Sequence, residues 1–181
     1  MIGIYSIAFT LASGLGMFIQ SGYRAFEPEI FKKYGEEDFS NFIEGLHRIF
    51  MFIVFSMAIA ISIFSKEILQ ILTNGDFVNG HTLVPILIIG IVLTAENAIL
   101  GSIAIAEKKT KLSMYSTLVG AMFSIAINII LIPYIGYFGA AIAYVVSFLV
   151  MNLITFRGIK NKPNGVNYDL FAFLTYSILS A

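Results

Sequence analysis

Apolar residues in this chain occur in long runs that are separated by short charged stretches. About 20 consecutive apolar residues in a helix are needed to cross the hydrocarbon core of a bilayer. Measured against that length, the sequence predicts five full membrane spans, at residues 2–23, 49–65, 83–106, 112–135 and 137–156. A sixth apolar run, residues 168–181, is too short to cross and is predicted to be a partial span. The predicted fold class is therefore all-α, a polytopic bundle of transmembrane helices.

The composition agrees with a lipid environment. Hydrophobic residues make up 58% of the chain and charged residues 12%, whereas soluble domains average about 45–50% and about 25%. The chain has no Cys, which excludes disulfides and thiolate ligands. His47 and His81 are isolated from each other, so neither a metal site nor a cofactor is predicted. No basic face or stripe indicates a nucleic-acid partner.

The basic residues are distributed unevenly between the connections. Ten of the eleven Lys and Arg residues lie in 24–48, 107–111 and 157–167, and the alternate connections 66–82 and 134–136 hold only Lys66. Cytoplasmic loops carry such an excess, so the first three loops are predicted to be cytoplasmic and Met1 to be outside. An outside start without a preceding basic segment indicates an earlier helix, and the last apolar run stops short. Truncation at both ends is expected.

The connections also contain local signals. Apolar residues recur at helical spacing in 39–50 and predict a helix that runs into the second span. Pro28 is predicted to end the first helix, which places Glu27 and Glu29 in a charged, solvated loop. Pro133 and the very short turn that follows it predict a tight antiparallel hairpin between spans four and five.

One ionisable residue lies near the middle of a span. Glu96 is in the third span and is followed by Asn97. A charge at this depth costs about 2.5–3.5 kcal/mol on insertion scales, so such a group is a functional hypothesis by default. The carboxylate could bind a cation, take up a proton or accept hydrogen bonds from sugar hydroxyls. Alternatively, a protonated or paired Glu96 ties helices together.

Two spans carry polar stripes at intervals of three to four residues, which places each stripe on one helical face. These stripes predict either a polar cavity or close helix packing through small and hydroxyl residues. The fourth-span stripe is Ser113, Ser116/Thr117, Gly120, Ser124 and Asn128, and the first-span stripe is Thr10, Ser13/Gly14, Met17 and Gln20/Ser21. No catalytic residue is predicted. The candidates for a cavity or a substrate- or ion-binding site are Glu96, Asn97, Asn128, Ser124, Thr117, Gln20 and Thr10.

Residues 128–143 read Asn-Ile-Ile-Leu-Ile-Pro-Tyr-Ile-Gly-Tyr-Phe-Gly-Ala-Ala-Ile-Ala. This run resembles the N-x-x-L-I-P-x-x-G-x-x-G-A-A-x-A hairpin of polysaccharide transporters. These are lipid-linked oligosaccharide flippases of the multidrug/oligosaccharidyl-lipid/polysaccharide exporter superfamily. Residues 3–8, 64–72 and 108–111 are similar to other segments of that family, in the same order.

The resemblance implies that residues 1–181 are the C-terminal transmembrane lobe of a two-lobed flippase. Such a protein moves an undecaprenyl-diphosphate-linked oligosaccharide across the inner (plasma) membrane by alternating access, in the biosynthesis of surface polysaccharides such as O-antigen. Its expected partners are the lipid bilayer, the lipid-linked oligosaccharide and an N-terminal lobe of the same chain. In this arrangement the two polar stripes and Glu96 would line the crevice between the lobes.

Two alternatives stay open beside this reading. The first is a drug/cation exporter of the same superfamily. The second is an enzyme, a polytopic glycosyltransferase or polymerase. Such an enzyme is disfavoured because the outer connection 66–82 carries only Lys66, Glu67, Asp76 and His81 as candidate chemistry, without a constellation of catalytic roles.

Overall fold

The structure is a computed structural model and describes residues 2–160. Its elements are α1 (Ile2–Lys33), α2 (Phe39–Ile63), α3 (Ser65–Leu72), a 3₁₀ turn (Val78–Thr82), α4 (Val84–Ala106), α5 (Thr110–Ile135) and α6 (Tyr137–Lys160). Five of these helices are long and apolar enough to cross a membrane. The predicted all-α bundle of five spans is confirmed, and the protein is a multi-pass membrane protein. The partial span predicted at 168–181 lies outside the described residues.

Helix α4 forms the centre of the bundle. It packs against α1, α2 and α6, while α5 packs chiefly on α6. The apolar residues of α4 are distributed around the whole helix, a pattern that is typical of a buried helix. Leu87, Ile91 and Ala95 are among its fully enclosed side chains. The helices α1, α2 and α6 therefore surround α4, and α5 lies on the far side of α6.

Helix α1 continues well beyond the predicted first span. At 1.5 Å per residue its 32 residues reach about 48 Å, more than the roughly 30 Å of the hydrocarbon core. The prediction that Pro28 ends this helix is wrong, since Pro28 lies inside α1. The continued helix brings Ile30 into the core with Ile43, and this burial offsets the backbone hydrogen bond that Pro28 cannot make. The predicted loop 24–48 is thus helical except at 34–38.

A one-residue turn joins α5 and α6. Gly136 adopts φ +59°, a conformation that favours glycine, and its N–H donates to the carbonyl of Ile132 at 2.9 Å. A Cβ on Gly139 would lie 2.8 Å from the backbone carbon of Leu131. The two helices can approach this closely only because position 139 lacks a side chain. The predicted tight hairpin is present, with Pro133 in the last turn of α5.

The bundle has two distinct ends. We call one the basic end, because it holds the α1–α2 and α4–α5 turns and the C-terminal part of α6. Its basic residues are Arg24, Lys32, Lys33, Arg48, Lys108, Lys109, Lys111 and Arg157. The opposite end holds the start of α1, the helix α3, the 3₁₀ turn and the α5–α6 turn. There, Gly80 of the 3₁₀ turn lies against Ile4 of α1.

Candidate functional site: a polar cavity near the basic end

A cavity of about 290 Å³ lies between α1, α4, α5 and α6 in the half of the bundle nearer the basic end. Most of the side chains around it are polar, although the helices that supply them are mainly apolar. The lining residues are Tyr23, Glu27, Asn97, Ala98, Gly101, Ser102, Ile105, Ser113, Ser116, Thr117 and Thr155.

Small side chains create this space. Ala98 and Gly101 lie on the α4 wall of the cavity, and Ser113 and Thr117 on the α5 wall. Because α5 is held mainly by α6 and touches α4 little, these small side chains leave a gap between α4 and α5. The cavity is therefore a consequence of where α6 places α5.

The hydroxyl groups of the cavity mostly donate to their own helices. Ser116 and Thr117 donate to the carbonyl of Ser113 at 3.0 and 2.9 Å. Ser102 donates to the carbonyl of Ile99 at 2.9 Å, and Thr155 donates to that of Met151 at the same distance. Each hydroxyl thereby uses its proton and keeps oxygen lone pairs as acceptors. The wall is consequently rich in acceptors.

The Glu27 carboxylate adds to this acceptor character. Tyr23 and Glu27 are four residues apart on α1, hence on one face, and the Tyr23 hydroxyl donates to Oε1 of Glu27 at 3.4 Å. The Ser113 Oγ atom is buried without a hydrogen-bond partner in the described part of the chain, so this hydroxyl can still donate as well as accept. An acceptor-rich wall of this kind can bind water, a cation or the hydroxyl groups of a polyol.

Asn97 joins the cavity to a pair of helices. Its Nδ2 donates to Oδ1 of Asn152 on α6 at 2.9 Å, and Nδ2 of Asn152 donates to the backbone carbonyl of Leu93 on α4 at 2.9 Å. The two amides fix α4 against α6 beside the cavity. Asn97 was a sequence candidate, whereas Asn152 was missed, although its sequence signal is an amide inside an apolar span.

Two of the seven sequence candidates, Asn97 and Thr117, line the cavity. Glu96 is buried, with 7% of its surface exposed, but it does not line the cavity. Adjacent residues of a helix point about 100° apart, so the Glu96 side chain points to a different side of α4 from that of Asn97. The residues one turn away include Val92 and Ile99, which are apolar and buried. Within residues 2–160 its carboxylate makes no hydrogen bond or ion pair.

Ser124 and Asn128 lie further along α5, toward the opposite end. Asn128 Nδ2 donates to the carbonyl of Ser124 at 2.9 Å, and its distance to Ser124 Oγ is 3.4 Å. Elsewhere on this stripe, Ser116 and Gly120 are buried, and a Cβ on Gly120 would collide with Met151 of α6. Part of the fourth-span stripe is thus a packing seam, and its Ser113–Thr117 part opens onto the cavity.

Thr10 and Gln20 are exposed on α1. The core-facing side of α1 is formed by Ala8, Ala12, Leu15 and Ile19, so the polar stripe faces away from the bundle. The Thr10 hydroxyl donates to the carbonyl of Ser6 at 2.9 Å. The described residues therefore place the two stripes and Glu96 on three different surfaces.

Sequence reasoning missed Tyr23, Glu27, Ser102 and Thr155. Glu27 was expected in a solvated loop, and that expectation is wrong because α1 continues through Pro28 and carries Glu27 to the cavity. Glu29, in contrast, is exposed. The available signal was the four-residue spacing of Tyr23 and Glu27.

Comparison with known proteins agrees with this architecture. The MatE family profile matches residues 2–130, which cover α1 to α4 and most of α5. An uncharacterised membrane protein of Methanocaldococcus jannaschii is 30% identical over 110 residues, which is 59% of this chain. The match covers 22% of that relative, so the chain spans only part of its length. No solved structure matches the chain. With more than half of its residues matched, the chain belongs to the MatE family of membrane exporters.

Proposed function

We propose that this chain is part of an exporter that moves undecaprenyl-diphosphate-linked oligosaccharide across the inner membrane by alternating access. The observation that carries this proposal is the polar stripe of α1, which is exposed on the outside of the bundle. The basic end is the cytoplasmic side in this proposal. The chain performs no covalent chemistry on its cargo.

The α1 stripe presents polar groups outside the described bundle, and its Thr10 and Ser21 hydroxyls donate to carbonyls of their own helix. Thr10, Gln20 and Ser21 are exposed on a helix long enough to span the bilayer. Polar side chains in spans face the interior of a bundle or a water-filled cavity. The stripe therefore faces a crevice shared with another part of the transporter, which is the N-terminal lobe. Its hydroxyl and amide groups can exchange hydrogen bonds with sugar hydroxyls.

The hairpin at residues 128–143 supports the choice of cargo. Its resemblance to the polysaccharide-transporter motif extends over both arms of the α5–α6 turn. Two of its glycines have structural reasons to be present, since Gly136 makes the turn and Gly139 permits the close approach. The motif thus describes how the hairpin is built, and its link to lipid-linked sugar rests on the resemblance.

A drug/cation exporter is the second candidate. The acceptor-rich cavity favours it, because the Glu27 carboxylate and the hydroxyl oxygens suit a cationic ligand. MatE membership is equally consistent with this cargo. The two candidates differ in what the protein carries and share the crevice along α1.

A transport experiment on the longest reading frame that contains this chain separates the two. The protein is expressed in cells that lack their own lipid-linked oligosaccharide flippase, and surface polysaccharide and ethidium efflux are both measured. We expect surface polysaccharide to return, and Thr10→Val with Gln20→Leu to reduce it at an unchanged membrane level. Ser56→Ala is the matched control, since Ser56 is an exposed hydroxyl on α2 between apolar residues. Ethidium efflux without polysaccharide would instead establish the drug exporter, and neither activity would contradict both.

A further inference from the structure

Helix α3 follows α2 at the opposite end of the bundle after a break at Phe64, where φ is −88° and ψ is 8°. Phe64 links them, with its N–H donating to Ala60 at 3.0 Å and its carbonyl accepting from Ile68 at 2.9 Å. The orientation of α3 is therefore set by the end of α2, a helix long and apolar enough to span the membrane.

One side of α3 is anchored on the protein. Ser65 and Leu69 are buried, and the Ser65 hydroxyl lies 3.5 Å from the carbonyl of His81 in the 3₁₀ turn. Thr73 closes the helix by donating to the carbonyl of Leu69 at 2.7 Å. This anchoring decides which residues of α3 remain uncovered.

The uncovered side is divided into an apolar and a polar part. Ile71 and Leu72 are 79% and 68% exposed, and Ile63 and Phe64 before them are 67% and 57% exposed. At 100° per residue, Ile68, Ile71 and Leu72 fall on one side of the helix. Lys66, Glu67 and Gln70 fall on the other side and are exposed.

We infer that α3 is an interfacial helix that lies along the bilayer surface at the opposite end, with Ile71 and Leu72 among the outermost acyl-chain segments. A strongly amphipathic helix in this position buries its apolar face at the boundary between headgroups and acyl chains. The occupant is lipid because the exposed apolar surface is continuous with that of α2 through Ile63 and Ile59. The charges of Lys66 and Glu67 cancel. Apolar contacts with the acyl chains therefore hold the helix at the interface, and anionic headgroups are not preferred. This inference depends on α2 spanning the bilayer and is independent of the cargo.

Site-directed fluorescence tests this placement, because the chain contains no Cys of its own. In the full-length protein, freed of any cysteines elsewhere and reconstituted in phosphatidylcholine vesicles, Ile71→Cys and Gln70→Cys each receive an environment-sensitive label. Both positions are exposed, so neither label disturbs core packing. We expect the label at 71 to be blue-shifted and quenched by lipids spin-labelled near the headgroup. The label at 70 should be quenched by aqueous iodide.

Two results would overturn the inference. If iodide quenches both labels equally, α3 stands in water. If neither iodide nor spin-labelled lipid quenches the label at 71, another part of the protein covers this face. Repeating the measurement with anionic lipid should leave the emission at 71 unchanged, and a marked shift would contradict the apolar mode of attachment.

Discussion

Asn97 on α4 and Asn152 on α6 hold each other by a hydrogen bond of 2.9 Å between Nδ2 and Oδ1. Asn152 also donates to the carbonyl of Leu93 at 2.9 Å, so a single buried amide bonds both the backbone and a side chain of the central helix. Interhelical hydrogen bonds of this kind hold membrane helices together. The pair fixes the α4–α6 contact, and through it the position of α5 and the width of the cavity.

Removing either amide should loosen this contact. We expect Asn97→Ala and Asn152→Ala each to lower the free energy of unfolding by about 1 kcal/mol. In the double variant, the coupling between the two sites should be about 0.6 kcal/mol and at most about 1.7 kcal/mol. Unfolding in mixed detergent micelles measures all three variants. Strictly additive losses would show that the two amides do not interact.

Lys109 should stabilise the contact between the α4–α5 turn and α6. Its Nζ donates to the carbonyl of Gly158 at 2.7 Å and lies 3.5 Å from Oε2 of Glu107. A hydrogen bond to a charged group contributes about 1.5–3 kcal/mol. We therefore expect Lys109→Gln to lower the thermal unfolding temperature. Lys111→Gln removes the same charge from an exposed position in the first turn of α5, and an equal effect of both would contradict this role of Lys109.

Gly139 should not tolerate even one added methyl group. A Cβ there would lie 2.8 Å from the Leu131 backbone carbon and 3.0 Å from the Ile132 nitrogen, and backbone atoms cannot turn aside. We expect Gly139→Ala to lower the free energy of unfolding by about 1–3 kcal/mol. Gly14→Ala is the matched control, because a Cβ at that helical position meets nothing within 4 Å. There, Ala should raise stability by up to about 1 kcal/mol. Similar losses at both positions would contradict the close-packing argument.

The spans could be predicted because their signal is local. A run of apolar residues as long as the bilayer core is thick identifies a span without knowledge of its neighbours. The end of α1 could not be predicted in this way, since the local rule at Pro28 favours a stop. The burial of Ile30 in the same core as Ile43 of α2 depends on packing between helices, and it prevails over that rule.

The cavity was predicted only in part for the same reason. Helical spacing shows which polar residues share a face, as for Ser113 and Thr117, but it does not show what that face meets. Whether a stripe packs, opens onto a cavity or faces outward depends on the helix beside it. Gly120 lies against Met151 of α6, Thr117 lines the cavity, and Thr10 is exposed on the surface of the described bundle.

The orientation of the chain can be tested with single cysteines. Glu37 lies in the α1–α2 turn of the basic end and Asp76 lies after α3 at the opposite end, and both are exposed. Because basic loops stay in the cytoplasm, we expect a membrane-impermeant maleimide to label Asp76→Cys in intact cells. Glu37→Cys should react only after permeabilisation. The reverse pattern would contradict the proposed orientation, with the basic end outside.

Glu96 provides a test that is independent of the cavity. It is buried beside apolar residues of α4. A carboxylate inside a membrane span costs free energy, so its presence there indicates a function. Glu96→Gln keeps the volume and the hydrogen-bonding oxygen but can neither take up a proton nor carry a negative charge. We expect this change to lower transport severalfold in the protein that contains this chain, at an unchanged level in the membrane. Glu67→Gln, an exposed carboxylate of α3, should leave transport as it was. If Glu96→Gln transports as well as the parent, the charge of this carboxylate has no part in export.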